Sequence, residues 1–197
     1  METSKDLIGR LYQMSRDAGD CLYLLQTAFI YNSSKALDDC EAKAGEIRGQ
    51  EEAVTRDLIE AVKADTGARV YLPVPGHIGR IAAHILDIAA GFRTRIGEGI
   101  LFTDKAVSEV IFLLERLQDV LKNTGDIILV RNRIVRQYIG EAAADIGRSA
   151  RDFATMHEER LVEGLCTPQA SPLFLAILDS LKGIAWHAKE IAEKLTP

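Results

Sequence analysis

The chain has 197 residues, of which 47% are apolar and 27% are charged, and its formal net charge is -5. This composition excludes an intrinsically disordered chain and predicts one domain, or two small domains that share a core. The acidic balance argues against a nucleic-acid-binding surface, which normally carries a basic stripe. No uncharged apolar run reaches the roughly 18–20 residues of a membrane span, and the N-terminus lacks the apolar centre of a signal peptide. We therefore expect a cytoplasmic protein.

Apolar residues recur at steps of three and four through most of the chain, which predicts amphipathic helices. The first helix begins near Ser4 and ends near Tyr31, and a more polar second helix covers about 34–64. The stretch VYLPVPG (70–76) is predicted to be an extended connector, because its two prolines lack N–H donors and push the preceding residues out of the helical region. A third helix is expected at about 76–98.

The second half of the chain repeats this helical pattern. A fourth helix is predicted at about 104–123, where Asn-Thr-Gly (123–125) breaks it, and a fifth at about 127–165. No convincing strand pattern is found, so the predicted fold class is all-α. A sixth helix, at about 172–195, places six apolar residues in strict steps of four and three, as in a helical bundle: Ile177, Leu181, Ile184, Ala188, Ile191 and Leu195.

The three cysteines, Cys21, Cys40 and Cys166, are far apart in the sequence and form no CxxC pair. This spacing excludes a zinc knuckle and a thioredoxin-type redox motif. We interpret them as reduced thiols packed on helices.

An internal repeat relates the two halves. GRIAAHILDIA (79–89) matches KGIAWHAKEIA (182–192) at an offset of 103 residues, and two further pairs of segments agree on the same offset without a gap. The chain is therefore predicted to contain two tandem three-helix repeats, at 1–100 and 101–197, that bury one continuous core.

Two tandem three-helix units, each closing on a helix of the type L-E-R-I-G-D-H-A-x-N-I-A-E, resemble the PhoU family. The resemblance covers residues 5–195 and rests on the helix order and on the frame of Ile, Ala, His and Ile-Ala in both repeats. It implies a helical protein that dampens phosphate uptake and couples a phosphate transporter to a sensor kinase. In several members, the acids of a Glu/Asp-x-x-x-Asp motif on helices three and six hold iron or zinc.

The sequence departs from the family at those motif positions. Asp87 and Glu190 stand one turn later, where the family has Asn. Because iron and zinc would need carboxylates here, we do not carry the metal cluster of the family over to this chain. The motif positions themselves hold Gly79, Ala83, Lys182 and Trp186.

The stripe formed by Lys182, Trp186 and Glu190 on the sixth helix is the predicted partner-binding site. These residues follow one another at steps of four, beside the apolar seam, and Trp186 is the only tryptophan of the chain. Two interpretations of Trp186 stay open: it fills the core sideways, or it contacts a partner or a second copy of the chain.

Two pairs of His and acid are weak candidates for displaced metal ligands. His84 with Asp87, and His187 with Glu190, are separated by three residues on equivalent helices. A mixture of two imidazoles and two carboxylates suits zinc or iron. The alternative is that each His hydrogen-bonds its neighbouring carboxylate.

The resemblance implies a non-enzymatic regulator or accessory protein of phosphate transport and signalling. Its expected partner is a phosphate transporter or sensor kinase complex at the inner face of the membrane, reached by protein contact. We expect no cofactor, no nucleic acid and a homo-oligomer. The alternatives are a metal-binding PhoU-like protein with displaced ligands, and a dimerisation module without a ligand.

Overall fold

The structure, a computed structural model, describes residues 3–196 and confirms the predicted all-α class. Six long helices are joined by short turns, and the described residues contain no strand. The helices are α1 (Ser4–Tyr31), α2 (Ser34–Ala64), α3 (Val74–Gly97), α4 (Asp104–Val130), α5 (Arg133–Val162) and α6 (Ser171–Leu195).

The helices form two halves, α1–α3 and α4–α6, that pack side by side. The halves meet where α1 lies against α4 and where α3 lies against α6. Buried apolar side chains from all six helices form one cluster, and the six predicted inward residues of α6 all belong to it. Since removal of apolar surface from water is the main stabilising contribution, each half depends on the other for part of its core.

The ends of α1 satisfy backbone groups that the helix itself leaves unpaired. Thr3 Oγ1 accepts a hydrogen bond from the Asp6 N–H at 3.3 Å, and the Asp6 carboxylate accepts one from the Thr3 N–H at 3.0 Å, which is a capping box. At the other end, Asn32 adopts a left-handed φ of 51°, and Ser33 caps α2 by accepting from the Ala36 N–H at 3.2 Å. The predicted boundaries of α1 and α2 are confirmed.

The prediction of an extended connector at 70–76 is wrong. Thr66–Tyr71 forms a short 3-10 helix, and α3 begins at Val74. The prolines do not prevent this, because Pro73 is the N-cap and Pro75 lies in the first turn, where no backbone N–H is needed. The Asp65 carboxylate starts the segment by accepting from the Gly67 N–H at 2.9 Å.

The predicted break at 123–125 is also wrong, since α4 continues to Val130. Gly125 lies within α4 against the Tyr12 ring of α1, and a Cβ added there would make ordinary van der Waals contact with the ring at 3.4 Å. The helix ends instead at Arg131, which has a φ of 48°, and Asn132 caps α5 by accepting from the Ile134 N–H at 2.7 Å.

A gapless offset of 103 residues does not relate the helix ends of the two halves. Ser4 and Asp104, the starts of α1 and α4, lie 100 residues apart, and Val74 and Ser171, the starts of α3 and α6, lie 97 apart. The starts of α1 and α4 thus differ from the predicted offset by three residues, and those of α3 and α6 by six.

Each half links its first two helices through an arginine and a carboxylate. Nη1 of Arg10 in α1 lies 3.2 Å from Oδ2 of Asp57 in α2, and about a third of each side chain is exposed (31% and 38%). In the second half the polarity is reversed. Glu109 of α4 accepts two hydrogen bonds from Arg160 of α5, at 2.9 and 2.8 Å, and only 2% of Glu109 is exposed.

Two of the three cysteines are buried on helices, as predicted. The Cys21 thiol of α1 donates to the Cys40 carbonyl of α2 at 3.7 Å, and the Cys40 thiol donates to the Cys21 carbonyl at 3.6 Å. The neighbouring Cys40 side chain and burial raise the pKa of the Cys21 thiol. Cys166 differs from the prediction, because it lies in the turn between α5 and α6 and is half-buried.

None of the helices described between residues 3 and 196 is apolar over a stretch long enough to cross a bilayer.

Candidate functional site

Trp186 lies on the surface of α6 with 53% of its area exposed. The adjacent seam positions, Ala185 and Ala188, take the buried places. Of the two interpretations of Trp186, core filling is therefore wrong. The interpretation of Trp186 as a partner contact stays open, and tryptophan is enriched among the residues that contribute most to protein interfaces.

The predicted stripe of Lys182, Trp186 and Glu190 divides into two environments. Lys182 and Trp186 line the same groove between α5 and α6. Glu190 lies beyond it, where its carboxylate is 3.8 Å from the Lys194 ammonium and its charge acts on His77 of α3. The structure therefore brings together two of the three predicted residues.

The groove between α5 and α6 has a volume of about 610 Å³ and exists because small residues line part of it. Ala143, Ala144 and Gly147 of α5 face Gly183 of α6 across it. At Gly147, an added Cβ would meet only the end of the Arg151 side chain, at 3.7 Å. Space that larger side chains would fill elsewhere in the bundle therefore stays open here.

Four of the side chains that line the groove are cationic. Arg148 and Arg151 come from α5, Lys182 and Lys189 come from α6, and Asp179 is the one acid of the lining. The sum of these charges is +3, in a chain whose formal net charge is -5. Sequence reasoning identified only Lys182, because the two arginines lie on another helix and are brought here by packing.

The corresponding seam of the first half, between α2 and α3, is closed by ion pairs. The Arg93 guanidinium of α3 donates to the Glu41 carboxylate of α2 at 3.1 and 2.9 Å and to Asp38 at 2.8 Å. By contrast, Lys182 pairs with Asp179 of its own helix at 2.7 Å. The cations of the α5–α6 groove are thus not used to join the two helices.

Three histidines meet behind Trp186, where α3 packs on α6. The Nδ1 atoms of His77 and His187 are 3.0 Å apart, a hydrogen-bond distance, and the rings of His84 and His187 have centroids 5.8 Å apart. The Trp186 ring packs edge-on against His187 at 4.7 Å and tilted against His77 at 6.1 Å. His77 was missed from the sequence, although its position two turns before His84 places both on one helix face.

Burial lowers the pKa of each of these histidines. Desolvation is the largest cause for His77 and His84. For His187, desolvation and the neighbouring His77 and His84 lower the pKa to about 4. The three rings are therefore neutral at pH 7, so that one Nδ1 of the His77–His187 pair donates and the other accepts.

The residues of the chain do not fit the metal centre that the resemblance implies. Among residues 3–196, no group of three or more His, Cys, Asp or Glu side chains has an arrangement that could hold a metal ion. The weak candidates His84, Asp87, His187 and Glu190 are not brought together as one ligand set. The alternative, a hydrogen bond from each His to its own carboxylate, is not observed either, because His187 bonds His77 instead.

Glycine at two places lets a polar side chain from a neighbouring helix approach the backbone. At Gly79 of α3, an added Cβ would overlap the carboxylate end of Glu51 from α2. At Gly183 of α6, it would overlap the imidazole ring of His84 from α3. Gly183 is thus the reason that His84 can reach His187.

No protein-family model matches the sequence, and no curated protein matches it either. Among solved structures, the chain is similar to PhoU from Pseudomonas aeruginosa, with a TM-score of 0.85 and 16% sequence identity. The likeness covers 97% of this chain and 94% of that one. It shows that the chain has a PhoU-like fold over nearly its whole length.

Proposed function

We propose that this chain is a non-enzymatic regulator or accessory protein of phosphate transport and phosphate signalling that acts in the cytoplasm by protein contact. The observation that carries the proposal is the match of fold to PhoU over 97% of the chain. The repeated Ile, Ala, His and Ile-Ala frame on α3 and α6, which resembles the family, adds support from the sequence.

The partner surface of this proposal is the stripe of Lys182, Trp186 and Glu190 on α6. Exposed tryptophan costs solvation free energy that a partner recovers, and tryptophan is among the residues that contribute most to protein interfaces. Trp186 is 53% exposed and is held from behind by the ring of His187. A side chain fixed in this way loses little conformational entropy on binding.

The test is capture from detergent-solubilised membranes of the source cells, with tagged wild-type chain and a Trp186→Ala variant compared by quantitative mass spectrometry. We expect a phosphate transporter or its sensor kinase with the wild-type chain and a clear loss with the variant. The matched control is Tyr31→Ala, which removes another exposed aromatic side chain (75% exposed) from a distant helix end and should retain the partner.

Two results would contradict the proposal. The first is unchanged phosphate uptake and unchanged phosphate-responsive transcription when the gene is deleted. The second is recovery of only further copies of this chain, lost in Trp186→Ala, which would identify the stripe as a self-association surface.

We also propose that the halves 1–100 and 101–197 are two copies of one three-helix repeat. The support is the matching order of helices and the sharing of one core across α1–α4 and α3–α6. Because each half leaves its part of that core exposed, neither half should unfold cooperatively when it is produced alone. A cooperative thermal transition of the isolated 1–100 segment would contradict the single-core arrangement.

A further inference from the structure

We propose that the α5–α6 groove is a binding site for a nucleoside polyphosphate, with the phosphates on its cationic side chains and the planar base on Trp186. The binding step does not depend on the proposed function. The regulatory consequence drawn below rests on it.

The size and lining of the groove suit a small ligand. Its volume of about 610 Å³ lies within the range of roughly 300–1,000 Å³ that small-molecule sites occupy. Gly147 leaves space on the α5 side, where an added Cβ would meet only the end of the Arg151 side chain at 3.7 Å. Such sites combine a mainly apolar lining with a few charged groups that set the orientation of the ligand.

The charges identify the ligand as an anion of several charges. Arg148, Arg151, Lys182 and Lys189 face a single acid, Asp179. The planar guanidinium groups match phosphate oxygens in paired hydrogen bonds, and the lysines add mobile point charges. A monoanion would leave most of this charge unbalanced, whereas a diphosphate or triphosphate compensates it.

The cations are free to turn toward a ligand. Lys182, Lys189 and Arg148 pair only with acids three or four residues away on their own exposed helix surface: Asp179, Glu193 and Asp145, respectively. Such pairs contribute about 0.5 kcal/mol or less each, so a polyphosphate can replace them. Arg151 has no acidic group within 4.0 Å in the part of the chain that the structure describes.

Trp186 supplies the site for the planar part of the ligand. Its ring is 53% exposed, lines the groove and is fixed edge-on by His187. Stacking of a nucleic-acid base on an aromatic ring contributes about 1–3 kcal/mol. An inorganic polyphosphate would use the cations alone and would leave Trp186 in water.

Occupancy of the groove would regulate the partner surface of the proposed function. Lys182 and Trp186 belong both to the groove and to the partner-binding stripe. A bound nucleotide would cover both side chains, so ligand and partner would compete. The chain would then release its partner at high nucleotide concentration.

The test uses the fluorescence of Trp186, the only tryptophan of the chain, which lies within the site. The full chain is titrated with ATP at about 150 mM salt, where surface charges are screened beyond roughly 8 Å. We expect saturable quenching by ATP. Inorganic triphosphate, measured by its competition with ATP in the quenching titration, should bind at least about tenfold more weakly, which corresponds to the lost stacking energy of roughly 1.4 kcal/mol.

Two variants probe the site while keeping Trp186. The double variant Arg151→Glu with Lys182→Glu should weaken ATP binding by at least about tenfold, since it removes two cations and adds two anions. Its charge control is the double variant Lys35→Glu with Lys105→Glu, which makes the same change of charge at two exposed positions outside the groove. Gly147→Leu should block the groove without a change of charge, and Gly140→Leu, on the same helix outside the lining, is its control.

Any of three results would overturn the inference. They are no saturable quenching up to about 5 mM ATP, equal affinity for ATP and inorganic triphosphate, and equal loss of affinity in the groove variants and their controls. Melting temperatures of all variants verify that they are folded. If ATP fails to bind while membrane capture still depends on Trp186, only this inference fails and the proposed function stands.

Discussion

The two halves of the molecule use the same kind of interaction at different depths. In the first half, the Arg10–Asp57 pair is partly exposed and makes one bond of 3.2 Å. In the second half, Glu109 and Arg160 form a two-bond pair with Glu109 only 2% exposed. Two ion pairs that join equivalent helices therefore stabilise the fold to different extents, because removal of one partner of the buried pair leaves an uncompensated charge.

The same contrast extends to the seams beside α3 and α6. Arg93 joins α3 to two carboxylates of α2, whereas Lys182 and Lys189 of α6 bond only within their own helix. The face of α5 toward the groove carries arginines in place of carboxylates. The second half thus holds α4 to α5 by a buried pair and has a groove between α5 and α6 that, among the described residues, no ion pair of its lining cations crosses.

The largest effect is expected at the buried pair. Glu109→Gln leaves the Arg160 guanidinium in a nearly closed site without its counter-charge, and we expect a loss of about 3 kcal/mol of unfolding free energy. The matched change in the first half, Asp57→Asn, should cost less than about 1 kcal/mol, because water screens that pair. Urea denaturation of both variants measures the difference, and equal losses would show that depth does not distinguish the two pairs.

The next largest effect on stability is expected at the two glycines, Gly183 and Gly79, that a side chain of a neighbouring helix contacts. We expect Gly183→Ala to cost about 2 kcal/mol, because the added methyl group overlaps the His84 ring, which is packed against His187. Gly79→Ala should be nearly neutral, since only the flexible end of Glu51 must move and alanine favours helix by about 1 kcal/mol.

Thermal unfolding of the two alanine variants, together with Gly183→Ala combined with His84→Ala, tests this explanation. The double variant should recover part of the stability lost in Gly183→Ala. A Gly183→Ala protein as stable as the parent chain would show that the His84 ring moves aside without cost.

A dependence of stability on pH should follow from the histidine cluster between the halves. The folded pKa values of His77, His84 and His187 lie below the ordinary histidine value of 6.5, that of His187 at about 4. Folding therefore favours the neutral rings. Their contribution to the free energy of unfolding is fully present above pH 6.5 and is lost as the pH falls from 6.5 toward 4. The Asp87 carboxylate opposes the lowering of the His84 pKa, and the Glu190 carboxylate opposes that of His77. Because the rings are also partly exposed to solvent, we expect a loss of about 2 kcal/mol of unfolding free energy over this pH range.

Urea denaturation at several pH values between 7 and 4.5 measures this dependence. The double variant His77→Gln with His187→Gln should show a smaller loss across that range, while carboxylate titration contributes equally to both proteins. Parallel stability curves for the parent chain and the variant would show that the cluster does not contribute.

The smallest effect is expected at the exposed seam of the first half. Arg93→Ala should lower the melting temperature slightly at low salt, and the difference should vanish near about 1 M salt, where exposed charges are screened. Lys182→Ala should change the melting temperature less than Arg93→Ala, because its bond lies within one helix. A larger shift for Lys182→Ala would show that the α5–α6 groove contributes to stability.

Helix periodicity sufficed to predict the six helices, because each carries its own inward stripe. It did not suffice to predict where a helix begins or ends when tertiary packing decides the boundary. Asn-Thr-Gly at 123–125 has the composition of a break, but Thr124 and Gly125 are buried within α4, and Gly125 packs against Tyr12 of α1. The prolines at 73 and 75 indicate extended chain locally, yet fit the start of α3 once Asp65 has begun a turn.

The candidate site was only partly predictable for the same reason. Trp186 stood out by its type and position, but sequence alone left its burial open, because its place borders the seam. Arg148 and Arg151 lie more than thirty residues before Lys182, and nothing local to either segment predicts that they share a groove. His77 meets His187 only because α3 and α6 pack together.

The facing thiols of Cys21 and Cys40 can report how often α1 and α2 separate locally. Both sulfur atoms lie between α1 and α2 and donate to the opposite helix, so an alkylating reagent reaches them only when those helices separate. Cys166, in the turn before α6, is reached without such an opening. Cys166 should thus be alkylated promptly. Cys21 and Cys40 should be alkylated more slowly, at the rate at which α1 and α2 separate.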